Sequence, residues 1–554
     1  MSYEWLNDES RTFLSRGYLK NGTTPEERLA EIAKVAECYL EQSGATVLAN
    51  GFAEKFLGYL SNGWYSLSTP VWINYGNRRG LPASCNGSYI SDNMASILSK
   101  TAEIGMMTKC GAGTSAYIGN LRPKGAPISC GGESDGPVHF MRLLESTTEV
   151  VTQGSSRRGS CAVYLPVEHP DIKDFLKCRS IGSPIQQLSI GVCISDQWMN
   201  DLKNKKQENL SIWAAIIRKR YESGFPYIFF TDTVNNSAPE AYIKNNKRIL
   251  ASNLCSEITL SSSDDESFVC VLSSMNVEHY DEWKNTDAVE TLTYFLDTVC
   301  TEYINKSAEI PLLSAACNFV RNQRAIGIGV LGLHTYFQKK GVAFGSMDSM
   351  YMNSEIFKHI DESSKNASMQ LAALCGEPEL MSGTNERMVT RMAVAPTKSS
   401  SFIHGGISGG IEPIECNYFV EVLAKITTTK RNPLFMDLLR SKKLNNKKII
   451  DSVVANFGSC QHLDELTDEE KNVFKTFSEI SQRDIITMAA QRQRYIDQSQ
   501  SLNLSIPLNT PPKEVSQLLL YGWENGIKTF YYNKGTNPSQ ELNRKMSSCS
   551  ACEG

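Results

Sequence analysis

Between about residue 65 and 275, short strand-like runs ("YSLSTPVWI", "CAVYLPV", "IQQLSIGVCI", "PYIFF") alternate with helical stretches and Gly-rich turns. This constrains the fold more than any other feature of the chain, because such alternation predicts α/β architecture. Residues 1–64 read as a helical region, with Thr24 and Pro25 standing where an N-cap and a first helical position belong. Residues 281–380 also read as largely helical. The stretch "MAVAPTKSSSFIHGGISGGIEP" reads as strand, Gly/Ser-rich loop and turn, residues 463–500 as helix, and "GIKTFYYN" as a late strand. The last stretch lacks apolar periodicity, which predicts a flexible tail over 536–554. A division into 1–64, 65–535 and 536–554 follows, with no internal repeat.

Inside this pattern lies "ASNLCSEITL", residues 251–260. Read as a strand, it places Asn253, Cys255 and Glu257 on one face, since side chains alternate with a period of two. An amide, a thiol and a carboxylate on one face suit a reactive site. A buried Cys acting as a small hydrophobe, on a strand with one solvated face, would give the same alternation. Cys270 lies in a second strand-like run, "FVCVLSSMNV", which a paired-strand turn would return to the neighbourhood of Cys255. Cys85 opens a third run, and Cys549 and Cys552 form a terminal C-x-x-C. With no second pair to complete a zinc site, that motif favours dithiol–disulfide chemistry. Tyr531 and Tyr532 are adjacent on the late strand, where plain packing is the simpler reading.

The sixteen cysteines are not spaced as a secreted disulfide framework; Cys38, Cys178, Cys300 and Cys317 sit in apolar patterns and read as core. The seven histidines form no metal-binding cluster, so any redox metal is expected on another chain. Lys plus Arg (56) nearly balances Asp plus Glu (60), leaving no footprint for nucleic acid or acidic membranes. The polar, acidic N-terminus is unlike a signal peptide, and no apolar run reaches the ~18 residues of a membrane span. A soluble, cytoplasmic protein is expected.

Taken in order, "NLCSE", the separated cysteines, "GAGTSAYIGNLRPKGAPI", "GSSRRGSCAVYLPVEHPDI", "RAIGIGVLGL", "APTKSSSF…GGIEP", the Tyr pair and the terminal Cys pair resemble the large, catalytic subunit of class I ribonucleotide reductase. The resemblance runs from about Thr69 to the C-terminus. It implies a ten-stranded α/β barrel of two five-stranded parallel halves, with the active-site cysteine on a finger loop through its centre. The strand reading of 251–260 would then give way to an extended loop. The resemblance further implies that Cys255 becomes a thiyl radical, that Glu257 is the base on the 3′-hydroxyl, and that Asn253 orients the sugar. Cys85 and Cys270 would supply the reducing equivalents and end as a disulfide, which Cys549 and Cys552 reduce by exchange. The ~17 residues from Tyr532 to Cys549 give the tail ample reach at ~3.3–3.6 Å each. Tyr531 and Tyr532 would receive the radical from a metal-containing small subunit.

By the same resemblance Ser399, Ser400 and Ser401 bind the substrate's phosphates, with Thr69 and Ser84 near that pocket. A Ser-rich loop alone would otherwise read as a solvated turn. Lys398 departs from the acidic residue common at its position. Asp92, Arg122 and the Arg157–Arg158 loop would form a specificity site for a dNTP or ATP effector, each charge having surface pairing as its plain alternative. The implied partners are a ribonucleoside diphosphate, a thioredoxin- or glutaredoxin-type reductant, the small subunit, and a second copy in an effector-bound homodimer. Only 68 residues precede Thr69, so no ATP cone is expected, a compactness reminiscent of phage-encoded members, which would act in the host cytoplasm. Two alternatives stay open. A cobalamin-dependent reductase would share the barrel and cysteines but make its radical internally. A nucleotide-binding redox sensor would not need Asn253, Cys255 and Glu257 together.

Overall fold

Strands covered on both faces tend to be apolar along their whole length, and the runs CAVYLP, IGVCI and YIFF in the first half of this chain meet that demand. The structure, a computed structural model, describes residues 3–535 apart from 79, 152–158, 424–425 and 508. After the short strand β1 (Tyr65–Leu67) come β2 (Cys85–Tyr89), β3 (Gly113–Tyr117), β4 (Ser160–Pro166), β5 (Ser189–Ile194) and β6 (Tyr227–Phe230). β2 to β6 pair in sequence order, all parallel. They form one five-stranded half whose crossovers carry helices, among them Met94–Lys109, Pro137–Val150 and Gln207–Ser223.

The second half starts with β7 (Phe268–Asn276) and β8 (Ile326–Leu331), also parallel. Segment 390–394 follows, bridged in parallel from Met392 to Ile328 and from Val394 to Gln500. Past the hairpin β9 (Tyr418–Leu423) and β10 (Ile426–Arg431), the chain reaches β11 (Leu504–Ser505), β12 (Thr529–Phe530) and β13 (Asn533–Lys534). β11 and β13 pair in parallel, and the Tyr531 N–H donates to the Leu502 carbonyl at 2.9 Å. Strands β7, β8, 390–394, 498–505 and 529–534 therefore make a second parallel five.

The two fives meet along two antiparallel seams. β2 runs against β7, with Cys85 directly opposite Cys270, and β6 runs against β12, with Phe229 opposite Thr529. This closes a ten-stranded barrel, the architecture that the family resemblance implies. A single core cluster fills the barrel and its helical shell. A smaller one, including Phe435, Leu439, Val453 and Leu463, sits under the hairpin and the helices that follow it.

Helices Asp8–Ser15, Pro25–Gln42 and Phe52–Ser61 precede β1. Thr24 and Glu27 form a complete capping box at the start of the second. From that helix the buried Arg28 donates to the carbonyls of Val71, Trp72 and Tyr75, tying the helical region to the chain that enters the barrel.

Four local readings need correction. Residues 251–260 are not a strand but a fully buried irregular loop, because the barrel interior offers no neighbouring strand edge to pair with. Residues 281–380 include β8, whose glycines at 327 and 329 hide it from a strand pattern. Residues 463–500 hold two helices, Asp468–Val473 and Gln482–Gln493, and then turn into a barrel strand. Cys38, read as core, is exposed, whereas Cys178, Cys300 and Cys317 are buried.

Candidate functional site

The loop carrying Asn253, Cys255 and Glu257 threads the barrel and is held by side chains from the surrounding wall. The Tyr164 hydroxyl on β4 donates to the Asn253 carbonyl at 2.7 Å. Thr529 on β12 donates to the Ser256 carbonyl at 2.7 Å. Ser501 Oγ lies 2.6 Å from the Cys255 carbonyl and 3.1 Å from Glu257 Oε2. The Ser499 N–H donates to the Glu257 carbonyl at 2.9 Å. Wall hydroxyls thus satisfy backbone groups that no ladder reaches, as burial requires. The chain reverses at Ser256, whose φ of 66° lies in the left-handed region, a strained conformation for a residue with a side chain that the surrounding hydrogen bonds hold in place.

That turn brings together what a strand would have aligned. Asn253 Nδ2 donates to Glu257 Oε1 at 2.9 Å, and the same oxygen lies 4.0 Å from Cys85 Sγ. Glu257 is fully buried; burial outweighs the hydrogen bonds from its own backbone, Asn253 and Ser501 and pushes its carboxyl up to about 7. A buried carboxylate poised near neutrality is suited to general-base work.

Cys85 and Cys270 are cross-strand neighbours in the β2/β7 seam. Directly opposed residues hold their Cβ atoms ~4.5–5.5 Å apart, and a disulfide needs ~3.5–4.5 Å, so a small closure joins them. Burial pushes the Cys270 thiol well above its ordinary value, although Gln498 Nε2 lies 3.4 Å from the sulfur and works against that rise. Gly327 on β8 is obligatory here: a Cβ would stand 2.5 Å from Leu272 and 3.2 Å from Cys270 Sγ.

Tyr531 and Tyr532 lie between β12 and β13, their ring centroids 4.2 Å apart at 50°. Tyr531 is buried and Tyr532 half-buried. Tyr227 on β6 touches both, at 4.8 and 5.2 Å. Arg220 donates to the Tyr531 carbonyl at 3.1 Å and to Asn533 Oδ1 at 2.6 Å. The pair shares its supports with the loop. Ser501 holds Cys255 while the next residue accepts from Tyr531, and Thr529 holds Ser256 two residues before Tyr531.

The serine run occupies the short helix Lys398–Ile403, entered through Thr397 at a φ of 50°. Gly410 N–H donates to Thr397 Oγ1 at 2.7 Å, and Ser401 donates to the Ile407 carbonyl. Ser399 is buried and Ser400 half-buried. Thr69 meets this region through the N-terminal segment. Its Oγ1 lies 3.1 Å from Tyr18 Oη, Tyr18 packs on Phe13, and Phe13 packs on Phe402. The Ser84 carbonyl, beside Cys85, accepts from Gly113 N–H at 2.8 Å. Asp92 and Arg122 form a one-third-exposed ion pair, Nε to Oδ2 2.8 Å. Arg157, Arg158, Cys549 and Cys552 lie outside the described residues.

Sequence reasoning passed over Tyr164, Tyr227, Gln498, Ser501 and Thr529. For Gln498 and Ser501 a signal exists: "DQSQSLN" is too polar for a helix packed in a core, yet its residues from Gln498 to Asn503 are buried. Among the described residues no group of three or more His, Cys, Asp and Glu side chains is placed to hold a metal. No described helix is long and apolar enough to cross a membrane.

Comparison with known proteins agrees with this geometry. The family model "Ribonucleotide reductase, barrel domain" matches residues 83–211, 203–390 and 381–533. The solved Actinobacillus ureae class Id ribonucleotide reductase alpha subunit superposes with a TM-score of 0.90 at 45% identity, over 98% of this chain and 99% of its own. A Frog virus 3 (isolate Goorha) protein, assigned as a ribonucleoside-diphosphate reductase large subunit, is 31% identical over 91% of this chain and 92% of its own. The vitamin B12-dependent ribonucleoside-diphosphate reductase of Mycobacterium tuberculosis (strain CDC 1551 / Oshkosh) is 27% identical over 89% of this chain and 73% of its own.

Proposed function

The chain belongs to the ribonucleotide reductase family, and we propose that it acts as the catalytic large subunit of a class I ribonucleoside-diphosphate reductase. One observation carries the assignment of roles: the buried Cys255 loop sets Glu257 4.0 Å from Cys85, which faces Cys270 across a seam. Removing a ribose 2′-hydroxyl requires breaking an unactivated C–H bond, which acid–base groups alone cannot do. Cys255, as a thiyl radical, takes the 3′-hydrogen atom. Glu257 accepts the 3′-hydroxyl proton and Asn253 orients the sugar. The 2′-hydroxyl leaves as water with a proton from the Cys85–Cys270 pair. That pair gives up two electrons and two protons in all and closes as a disulfide, Glu257 returns its proton to O3′, and Cys255 returns its hydrogen to C3′. Substrate and dithiol become deoxynucleotide, water and disulfide.

The radical enters from a metal-containing small subunit through Tyr532 and Tyr531. The tail pair Cys549–Cys552 reduces the spent disulfide and is itself reduced by a thioredoxin- or glutaredoxin-type protein. Ser399–Ser401 take the substrate phosphates, with Thr69 and Ser84 beside the same substrate pocket. Asp92 and Arg122, with Arg157 and Arg158, take the dNTP or ATP effector in a homodimer. Residues 65–535 are the catalytic unit, 1–64 its helical lead and 536–554 the redox tail; the site of action is the cytoplasm, or a host's if the chain is phage-encoded. The likeness to a vitamin B12-dependent reductase keeps an internal-radical reading in view, but the close-packed Tyr pair favours an external source.

The test is reduction of a ribonucleoside diphosphate with the small subunit and a dithiol, against cobalamin without a partner. Product only with the small subunit is expected. Product with cobalamin alone would overturn the class I reading, and no product under either condition would overturn the reductase reading.

A further inference from the structure

Asn503 is nearly fully buried beside the Tyr pair, and its amide is used in both directions. Oδ1 accepts from the Tyr532 N–H at 3.0 Å, and Nδ2 donates to Glu412 Oε2 at 2.6 Å. Because the donor end must face the carboxylate, Glu412 dictates which way the amide points and presents its oxygen to Tyr532. Glu412 is itself pinned from the strand that carries the tyrosines. Lys534, two residues beyond Tyr532, donates to Glu412 Oε1 and to Glu415 Oε1, the latter at 2.7 Å. Glu412 also ends the glycine-rich loop that follows the serine helix: its N–H donates to the Gly409 carbonyl at 3.0 Å, and Gly410 N–H holds Thr397 Oγ1.

We propose that Glu412 and Asn503 are positioning residues for radical transfer, fixing the Tyr532 backbone and thereby the ring gap to Tyr531. The inference rests on the reading of that pair as the radical's entry. Transfer between side chains is sensitive to their separation, so loss of the clamp should lower turnover without weakening substrate binding.

A polarity exchange tests this. In Asn503→Asp the Tyr532 N–H keeps an acceptor, but two carboxylates face each other and their repulsion pulls residue 503 and Tyr532 out of register. In the double variant with Glu412→Gln, the carboxylate introduced at position 503 accepts from both Tyr532 and the new amide, and the clamp re-forms with donor and acceptor reversed. With saturating small subunit, N503D should lose at least about tenfold in kcat, in keeping with the cost of ångström-scale misplacement, while KM stays unchanged. The double variant should recover most of that loss, a coupling that independent structural damage would not show. Wild-type kcat in N503D, additive losses in the double variant, or a raised KM at unchanged kcat would each overturn the inference. If N503D does not fold, Glu412→Ala decides by the same split between kcat and KM. An inactive wild type in the same assay would instead count against the function proposed above.

Discussion

At the scale of single residues the site turns on two buried groups, Cys255 and Glu257. Cys255→Ser is nearly isosteric, and a hydroxyl holds its hydrogen too firmly to relay a radical. The variant should fold and bind nucleotide, measured by melting and equilibrium binding, yet form no deoxynucleotide. Glu257 carries a pH signature. Its folded pKa of about 7 lies above the ordinary 4.5, so the base is protonated and idle below neutrality. kcat/KM should fall about tenfold per pH unit on the acid side of 7. Stability has the opposite sense: the raised carboxyl is no burden below its unfolded pKa, and its cost grows as pH rises through 7. Glu257→Gln keeps an oxygen for Asn253 and offers an amide to Ser501. It should abolish turnover yet melt above the wild type at pH 8, by up to the order of 3 kcal/mol, with the two converging near pH 4.5.

At the scale of elements, the strand 529–534 that carries the Tyr pair also supports the Cys255 loop through Thr529. Phenylalanine at 531 or 532 keeps the packing against Tyr227 and removes the phenolic hydroxyl that proton-coupled oxidation needs. Tyr531→Phe and Tyr532→Phe should each fold and bind the small subunit, measured by sedimentation, while turnover is lost. Near-normal turnover would return the pair to simple packing. The same strand shows where the sequence was legible. β4 to β6 are apolar beyond a leading serine in β4 and β5, and announce themselves. β8 carries Gly327 close to Cys270 and Gly329 against the 393–394 backbone, and 498–505 carries Gln498 and Ser501 to hold the loop and Asn503 to hold Tyr532, so their composition answers to the site rather than to strand preference. The Cys255 peptide errs the other way: its alternation looks like a strand, but a turn at Ser256 gathers the side chains. Resemblance named Cys85, Cys270 and the Tyr pair; their register and packing, and the supporting Tyr227, needed the fold.

At the scale of the whole molecule, helices are fastened to the second half of the barrel by a buried ionic triad. Asp297 on the helix Ala288–Ser307 meets Arg324 Nε at 2.6 Å and Arg387 Nε at 3.0 Å. Burial alone would raise its carboxyl, but the two guanidiniums more than compensate and hold it below the ordinary range. Arg324 leads into β8 and Arg387 into segment 390–394, so one carboxylate secures two neighbouring strands. Asp297→Ala should leave two buried cations unpaired and cost about 3–5 kcal/mol, read as a lower denaturant midpoint. With the carboxylate present, its stabilising contribution holds above about pH 4, the ordinary carboxylate range, and fades as pH falls through the depressed pKa.

The closure of β6 onto β12 also has a temporal side. The strand Tyr227–Phe230 leaves the ribosome about 300 residues ahead of its antiparallel partner, roughly 15–60 s earlier at 5–20 residues per second. Throughout that interval an aromatic edge without its mate is a template for mispairing with another nascent copy. Synthesis of this barrel therefore contains a waiting period, and the yield of folded protein should rise when holdase chaperones cover that edge or when translation of the C-terminal half is quickened.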